Sequence, residues 1–203
     1  MGTTNVAPSL RVAGPDDVDE VANIVADAFL NLDVIRFLVP DLARRWPVSR
    51  AWYELWIAHA ISDAGQVVMT EGAAAVWFDR TTAATEPHDY ARRLAELAGP
   101  DLPQFQHLDA QMDKAHPTDP HRHLLFLAVL PDRQNHGLGS LLLQHTHAQL
   151  DDAGVAAYLE ATGEDNRRLY ARHGYTDMDP PTIAASGDIV LHRMWREPEG
   201  VQR

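Results

Sequence analysis

Three groups of residues in this chain have the types and spacing for chemistry. Glu160 sits near the C-terminal end of the apolar run Val155–Ala161, next to Thr162. Ligands of open α/β sheets gather outside the carboxyl ends of strands, so a carboxylate there is either half of a surface ion pair or a working acid or base. Tyr170 follows in a short helical segment, Asn166–His173, that ends at Gly174. A phenol at such a position either packs or offers a proton. The third group lies upstream, in Arg133-Gln134-Asn135-His136-Gly137-Leu138-Gly139. It joins the apolar run Leu124–Leu130, which Pro131-Asp132 closes, to a helical pattern with Leu138, Leu141, Leu142 and Ala148 on one face. Two glycines remove Cβ bulk where the backbone turns, so amide N–H groups can face outward at a helix N-terminus. Free donors and the helix dipole together suit that position to a phosphate.

Which phosphate loop this is can be weighed. A Walker loop needs Gly-Lys-Ser/Thr, and there is no lysine here. A dinucleotide fingerprint needs a third glycine, where this chain has Leu142, and needs its glycines directly after the strand, whereas Pro131 to His136 intervene. Glu160 does stand about where a ribose-binding acid is expected, so a dinucleotide oxidoreductase stays as a weak alternative. The third option fits best. Gln134-x-x-Gly137-x-Gly139 after Leu127-Ala128-Val129 resembles the pyrophosphate loop of GNAT-type N-acetyltransferases. Leu169-Tyr170-Ala171-Arg172-His173-Gly174-Tyr175 is similar to the segment in which that family's tyrosine faces the coenzyme A sulfur. The resemblance covers roughly residues 67–196 and is firmest over 124–175. Leu159-Glu160-Ala161-Thr162 with Asn166, the Val76-Trp77 strand, and Pro131 to Gln134 look like the puromycin N-acetyltransferase branch. Gly163 stands where the wider family often has asparagine, which leaves Asn166 as a substitute contact to the pantetheine arm. His136 stands where many relatives carry Lys or Arg.

The resemblance implies an α/β (α+β) fold of the GNAT acyl-CoA N-acyltransferase type. Its central mixed, mainly antiparallel sheet is flanked by helices and splays between strands 123–130 and 155–161. Acetyl-CoA would enter that gap as cosubstrate, with no metal. Amides of Gln134, Asn135, His136, Gly137, Leu138, Gly139 and Ser140 would hold the pyrophosphate. The backbone of Leu127, Ala128 and Val129 would pair with the pantetheine like an added strand. Glu160 would take the proton of an attacking amine and Tyr170 would give one to the leaving thiolate. The implied acceptor is a primary amine of a small molecule, such as an aminonucleoside or another antibiotic. A protein N-acetyltransferase and a non-catalytic acyl-CoA-binding or sensor module are the alternatives.

The elements that must position these residues read as follows. Ser9–Ala13 is a short strand candidate, and Pro15-Asp16-Asp17 opens a helix to about Leu30. Asn31–Pro47 is less regular and expected to be helical in part, and Ser49–Ala64 is a second helix carrying Trp52, Leu55, Trp56 and Ala60 on one face, more suited to core than to a ligand box. Val67–Thr70 and Ala73–Phe78 flank a Glu71-Gly72 turn, and polar helices span His88–Ala98 and Gln104–Lys114. One domain over residues 1–203 is expected, with acceptor-side helices at about 14–65 and the acetyl-CoA core at about 67–196. His121-x-His123 would share a strand face and His145-x-His147 would point apart, a poor metal pattern.

Composition narrows the class. There is no cysteine, which removes disulfides and thiolate chemistry and suits a cytoplasmic protein. A net charge of -12 argues against nucleic acid and favours a cationic substrate. No apolar run suits a membrane span, and Met1–Leu10 lacks a signal peptide's pattern. A monomer or homodimer is expected.

Overall fold

The apolar run after Pro120 forms a strand, β4 (His121–Val129), and the molecule is built outward from it. The computed structural model describes residues 8–83 and 85–200. Most of the N-terminal stretch read for a leader therefore lies outside the described residues. The other strands are β1 (Arg11–Val12), β2 (Gly65–Thr70), β3 (Ala73–Asp79), β5 (Ala156–Thr162), β6 (Thr176–Ser186) and β7 (Ile189–Arg196). They form one seven-stranded sheet in the order β1-β2-β3-β4-β5-β7-β6. All neighbours are antiparallel except β4 and β5. The expected β2–β3 hairpin is present, turning at Glu71-Gly72 with Gly72 at φ 76°, which glycine adopts without a Cβ penalty.

The parallel pair decides the shape of the site. β4 and β5 pair only from His121↔Ala156 to Leu124↔Leu159. Beyond that point β4 stays on β3, reaching Val129↔Ala73, and β5 stays on β7, reaching Thr162↔Leu191. The two strands thus part, leaving unpaired backbone on each. A register break against Val76/Trp77 places Leu125 as the extra residue of β4, where the strand begins to part. The bulge breaks the alternation of faces: Leu125 and Phe126 both pack on one side, then Leu127 and Val129 on the other.

Helices cover both faces. On one lie α1 (Val18–Phe29), α2 (Asp33–Leu38), α3 (Leu42–His59), α4 (Tyr90–Ala98) and α5 (Leu102–Ala115), around a core that includes Ile24, Trp52, Tyr53, Phe105 and Phe126. On the other lie α6 (Leu138–Ala153) and α7 (Gly163–Arg172), around Trp77, Leu124, Leu142, Leu143, Leu159 and Tyr175. No helix among the described residues is long and apolar enough to cross a membrane.

Two expectations need correction. The second long helix begins at Leu42, not Ser49, and runs through Pro47. Its first turn is fastened from outside: Asp41 Oδ1 caps the Ala43 N–H, while the buried Arg45 guanidinium donates to the carbonyls of Val39 and Pro40. These bonds offset the one that Pro47 lacks. On α6 the buried face is Leu142, Leu143, Thr146, His147 and Leu150, with Ala148 exposed, because His147 turns inward to Tyr175 Oη at 3.0 Å. Burial pushes His147 down to about 4 and keeps its ring neutral.

Candidate active site

The parted strands put Glu160 and Tyr170 into one cavity of about 170 Å³, also lined by Thr162, Asn166, His123 and the stretch Leu124–Leu127. Tyr158, Glu160 and Thr162 alternate onto the α1–α5 face of β5, and β4 opposes them with His121 and His123. The register sets His123 opposite Tyr158, which leaves His123 one step from Glu160 on the same face.

Glu160 is not in a surface ion pair. Its side chain is 4% exposed, and Oε2 lies 2.8 Å from His123 Nε2, whose own side chain is 3% exposed. Arg193, its neighbour in register on β7, spends Nη1 on the carbonyl of Pro180. Burial alone would push the Glu160 carboxyl up. The charge of His123 and its hydrogen bond outweigh that and hold the group below the usual carboxylate range, so it is ionised. Among the described residues, Glu160 Oε1 and His123 Nδ1 have no partner. Around the pair stand the rings of His116, 4.9 Å from His123, and Tyr158, 5.3 Å away. Burial, then the neighbouring His123, push His116 down to about 3, so it adds no charge at neutral pH.

Tyr170 lies on α7 beyond the end of β5, 8% exposed, with its ring edge-on to Tyr175 at 5.8 Å. Among the described residues its hydroxyl makes no hydrogen bond, and burial raises its pKa, keeping it a neutral phenol. Asn166 also lines the cavity, but its amide nitrogen is committed to the Thr162 carbonyl at 2.8 Å, leaving its oxygen to accept.

The loop lies outside this cavity, at the N-terminus of α6. Gly137 is the N-cap at φ 82° and gives no side-chain cap, so the first amides of a 16-residue helix stay open. Asn135 also adopts a left-handed conformation, at φ 63°. Gln134 Nε2 donates to the Val129 carbonyl at 3.1 Å, fastening the loop to the end of β4 and occupying one of the backbone groups expected to face a pantetheine. Leu127, Val129 and Leu169 pack about the Cα of Gly139, while Ala128 points to the opposite face. His136 is exposed, with Nδ1 3.3 Å from the Arg133 carbonyl, and Ser140 Oγ lies 2.9 Å from His173 Nε2. An open helix end and an unpaired strand edge thus lie on the sheet beside a cavity with unsatisfied polar atoms.

Several residues here carry no sequence signal for the site. His123 had its place only in a metal argument, and Arg80, Tyr90, Asp109 and Asp113 had none. All line the cavity. Its wall also takes Trp52, Tyr53 and Trp56, which serve as core and lining at once, and it extends past α3 to α4 and α5.

Residues 107–177 match the family model described as acetyltransferase (GNAT) domain. The fold is similar to that of a Corynebacterium glutamicum protein described as histone acetyltransferase HPA2 and related acetyltransferase (TM-score 0.67, 24% identity, 95% of this chain and 97% of that one). It is similar also to arylalkylamine N-acetyltransferase 2 from Aedes aegypti (TM-score 0.57, 11% identity, 96% and 100%). A third similar structure is PaiA N-acetyltransferase from Thermoplasma acidophilum in complex with coenzyme A (TM-score 0.54, 9% identity, 95% and 99%).

Proposed function

We propose that the protein is an acetyl-CoA-dependent N-acetyltransferase for a primary amine of a small molecule, such as an aminonucleoside or another antibiotic, as in the puromycin N-acetyltransferase type. The observation that carries this reading is the buried Glu160–His123 pair, opening with Tyr170 onto one cavity at the parting of β4 and β5. A sensor module has no need of such a pair, which costs several kcal/mol to desolvate. Enclosure within aromatic walls favours a small acceptor over a protein chain. We place the protein in the cytoplasm, as one domain with acceptor-side helices at about 14–65 and an acetyl-CoA core at about 67–196.

Acetyl-CoA supplies an acyl group activated as a thioester. The amides of Gln134–Ser140 hold its pyrophosphate, and the free edge of β4 near Leu127–Val129 orients the pantetheine. A protonated amine cannot attack. The ionised Glu160 takes its proton at Oε1, while His123 holds Oε2 across their 2.8 Å bond. The new N–C bond forms as the C–S bond breaks, and Tyr170 gives its phenolic proton to the departing sulfur. The neutral, buried phenol has that proton to give at any pH the fold tolerates.

Incubation with acetyl-CoA and an amine panel that includes puromycin, with release of free thiol followed, tests the reading. Thiol release that depends on the amine supports it. Acetyl-CoA at about 100 times its dissociation constant should also stabilise the fold by ~2.7 kcal/mol, and NADH should not. Stabilisation by NADH alone would overturn it.

A further inference from the structure

Part of the cavity plays no role in these proton transfers. The rings of Trp56 and Tyr90 lie 5.1 Å apart there. Trp52 Nε1 donates to Tyr90 Oη at 3.0 Å, and Tyr90 Oη donates to Asp109 Oδ2 at 3.0 Å. Asp113, one turn further along α5, and Glu86, in the loop before α4, add two more carboxylates to the lining. Against these three and Glu160, the described lining residues hold a single arginine or lysine, Arg80, whose charge interacts with Asp113, Glu160 and Glu86 together. Burial pushes the Asp109 carboxyl up to about 6, Tyr90's hydrogen bond opposes this, and the charges of Asp113 and Glu86 add to it. This wall is short of positive charge.

A second, independent feature points to a ligand. Tyr53 lines the same cavity at 1% exposure, and among the described residues its hydroxyl has no partner; neither has Trp56 Nε1. Buried polar groups are nearly always paired. Together with Glu160 Oε1 and His123 Nδ1 they leave open hydrogen-bonding positions along an otherwise aromatic surface. The volume, about 170 Å³, holds on the order of ten water-sized groups, enough for one ring with two short arms.

We propose that the acceptor is an aromatic diamine: one nitrogen reaches the Glu160–His123 pair, the ring lies against Trp52, Trp56 and Tyr90, and the second nitrogen stays cationic among Glu86, Asp109 and Asp113. This rests on the acetyltransferase reading above. A monoamine gives up its only charge when it is deprotonated for attack, and three carboxylates are then left facing Arg80 alone. A diamine keeps one ammonium in place through the transfer, held by charge-assisted hydrogen bonds and by the aromatic faces beside it.

The test compares p-xylylenediamine, 4-methylbenzylamine, which has the same ring but one nitrogen, and 1,6-diaminohexane, which has two nitrogens but no ring. Thiol release is followed with saturating acetyl-CoA. The aromatic diamine should exceed both by about tenfold or more in kcat/KM, mainly through KM. Asp113→Asn, at an exposed position, and Asp109→Asn should each shrink its advantage over 4-methylbenzylamine severalfold, without altering thermal stabilisation by acetyl-CoA. Equal turnover of the two ring amines, or a ratio indifferent to both substitutions, would overturn the acceptor class and leave acetyl transfer standing. Equal turnover of 1,6-diaminohexane would remove the aromatic requirement. Failure of all three amines to release thiol, with acetyl-CoA still stabilising the fold, would count against the acetyl-transfer reading itself.

Discussion

The two faces of the sheet solve different binding problems with different materials. The α6–α7 face, proposed to hold acetyl-CoA, presents backbone: the amides of a glycine loop, an uncapped helix end and an unpaired strand edge. The α1–α5 face, proposed to hold the acceptor, presents side chains from five helices and a loop, aromatic, aliphatic and charged. Backbone groups are the same in every sequence, so what must be specified on the first face is where the chain turns. Side chains must be chosen one at a time on the second, and their neighbours come from distant parts of the chain. The lesson is that the shared chemistry of a cosubstrate can be written in a short motif, whereas acceptor choice is distributed.

The Glu160–His123 pair joins the two faces, and its loss should have the largest effect. Glu160→Gln and His123→Gln should each lower kcat about 10²–10⁴-fold, and the double variant should lose little more than either single one if the pair acts as a unit. The deficit should shrink between pH 6.5 and 9, where more acceptor is already neutral. Additive losses would separate the two residues, and a loss that is equal at both pH values would move proton removal to a water chain. Tyr170→Phe comes next, at about 10²-fold in kcat with acetyl-CoA binding near normal. Unchanged turnover per folded molecule would return Tyr170 to a packing role.

A smaller effect should isolate the backbone-built face. A Cβ at Gly137 meets nothing within 4 Å, so Gly137→Ala adds only the strain of a left-handed residue at φ 82°. About 1–2 kcal/mol of strain should weaken acetyl-CoA several-fold while leaving KM for the amine alone. A rise in amine KM would show that the faces are not independent.

The smallest effect is on stability against pH, and its sign differs between the buried histidines and Asp109. His147, under α6, is held at about 4 against an ordinary value of 6.5, because burial penalises its charged form. The unfolded chain therefore binds more protons in that window, and stability is lost as pH falls from 6.5 towards 4. His116, in the cavity, behaves the same way from 6.5 towards about 3. Asp109 has the opposite slope, since its pKa rises from 3.8 to about 6, so its share of stability is lost as pH rises through 6. Melting temperatures from pH 4 to 7 should flatten in His147→Gln and steepen in Asp109→Asn. A shift of ~1–2 kcal/mol in each is expected; identical slopes in wild type and both variants would place these groups in water.

The sequence by itself determined the local framework. Apolar runs and turn residues located β2, β3, β4 and β5, helical spacing located α1 and α6, and the glycine spacing located the loop, because each signal lies within a few neighbouring residues. Glu160 drew notice by its place near the end of a strand, and Tyr170 by the resemblance of its segment to a known family. Pro47 misled, since a proline's local cost is visible in the sequence and the caps and arginine bonds that offset it are not. Only the tertiary structure decided the partner of Glu160. His123 lies 37 residues away, and a parallel pairing has no short turn to fix its register; one step of slip would turn the histidine to the other face. The bulge at Leu125, the parting of β4 and β5, and the meeting of Glu86, Tyr90, Asp109 and Asp113 on one wall follow from the same cause. They depend on how separate elements pack, and no stretch of the chain carries that information alone.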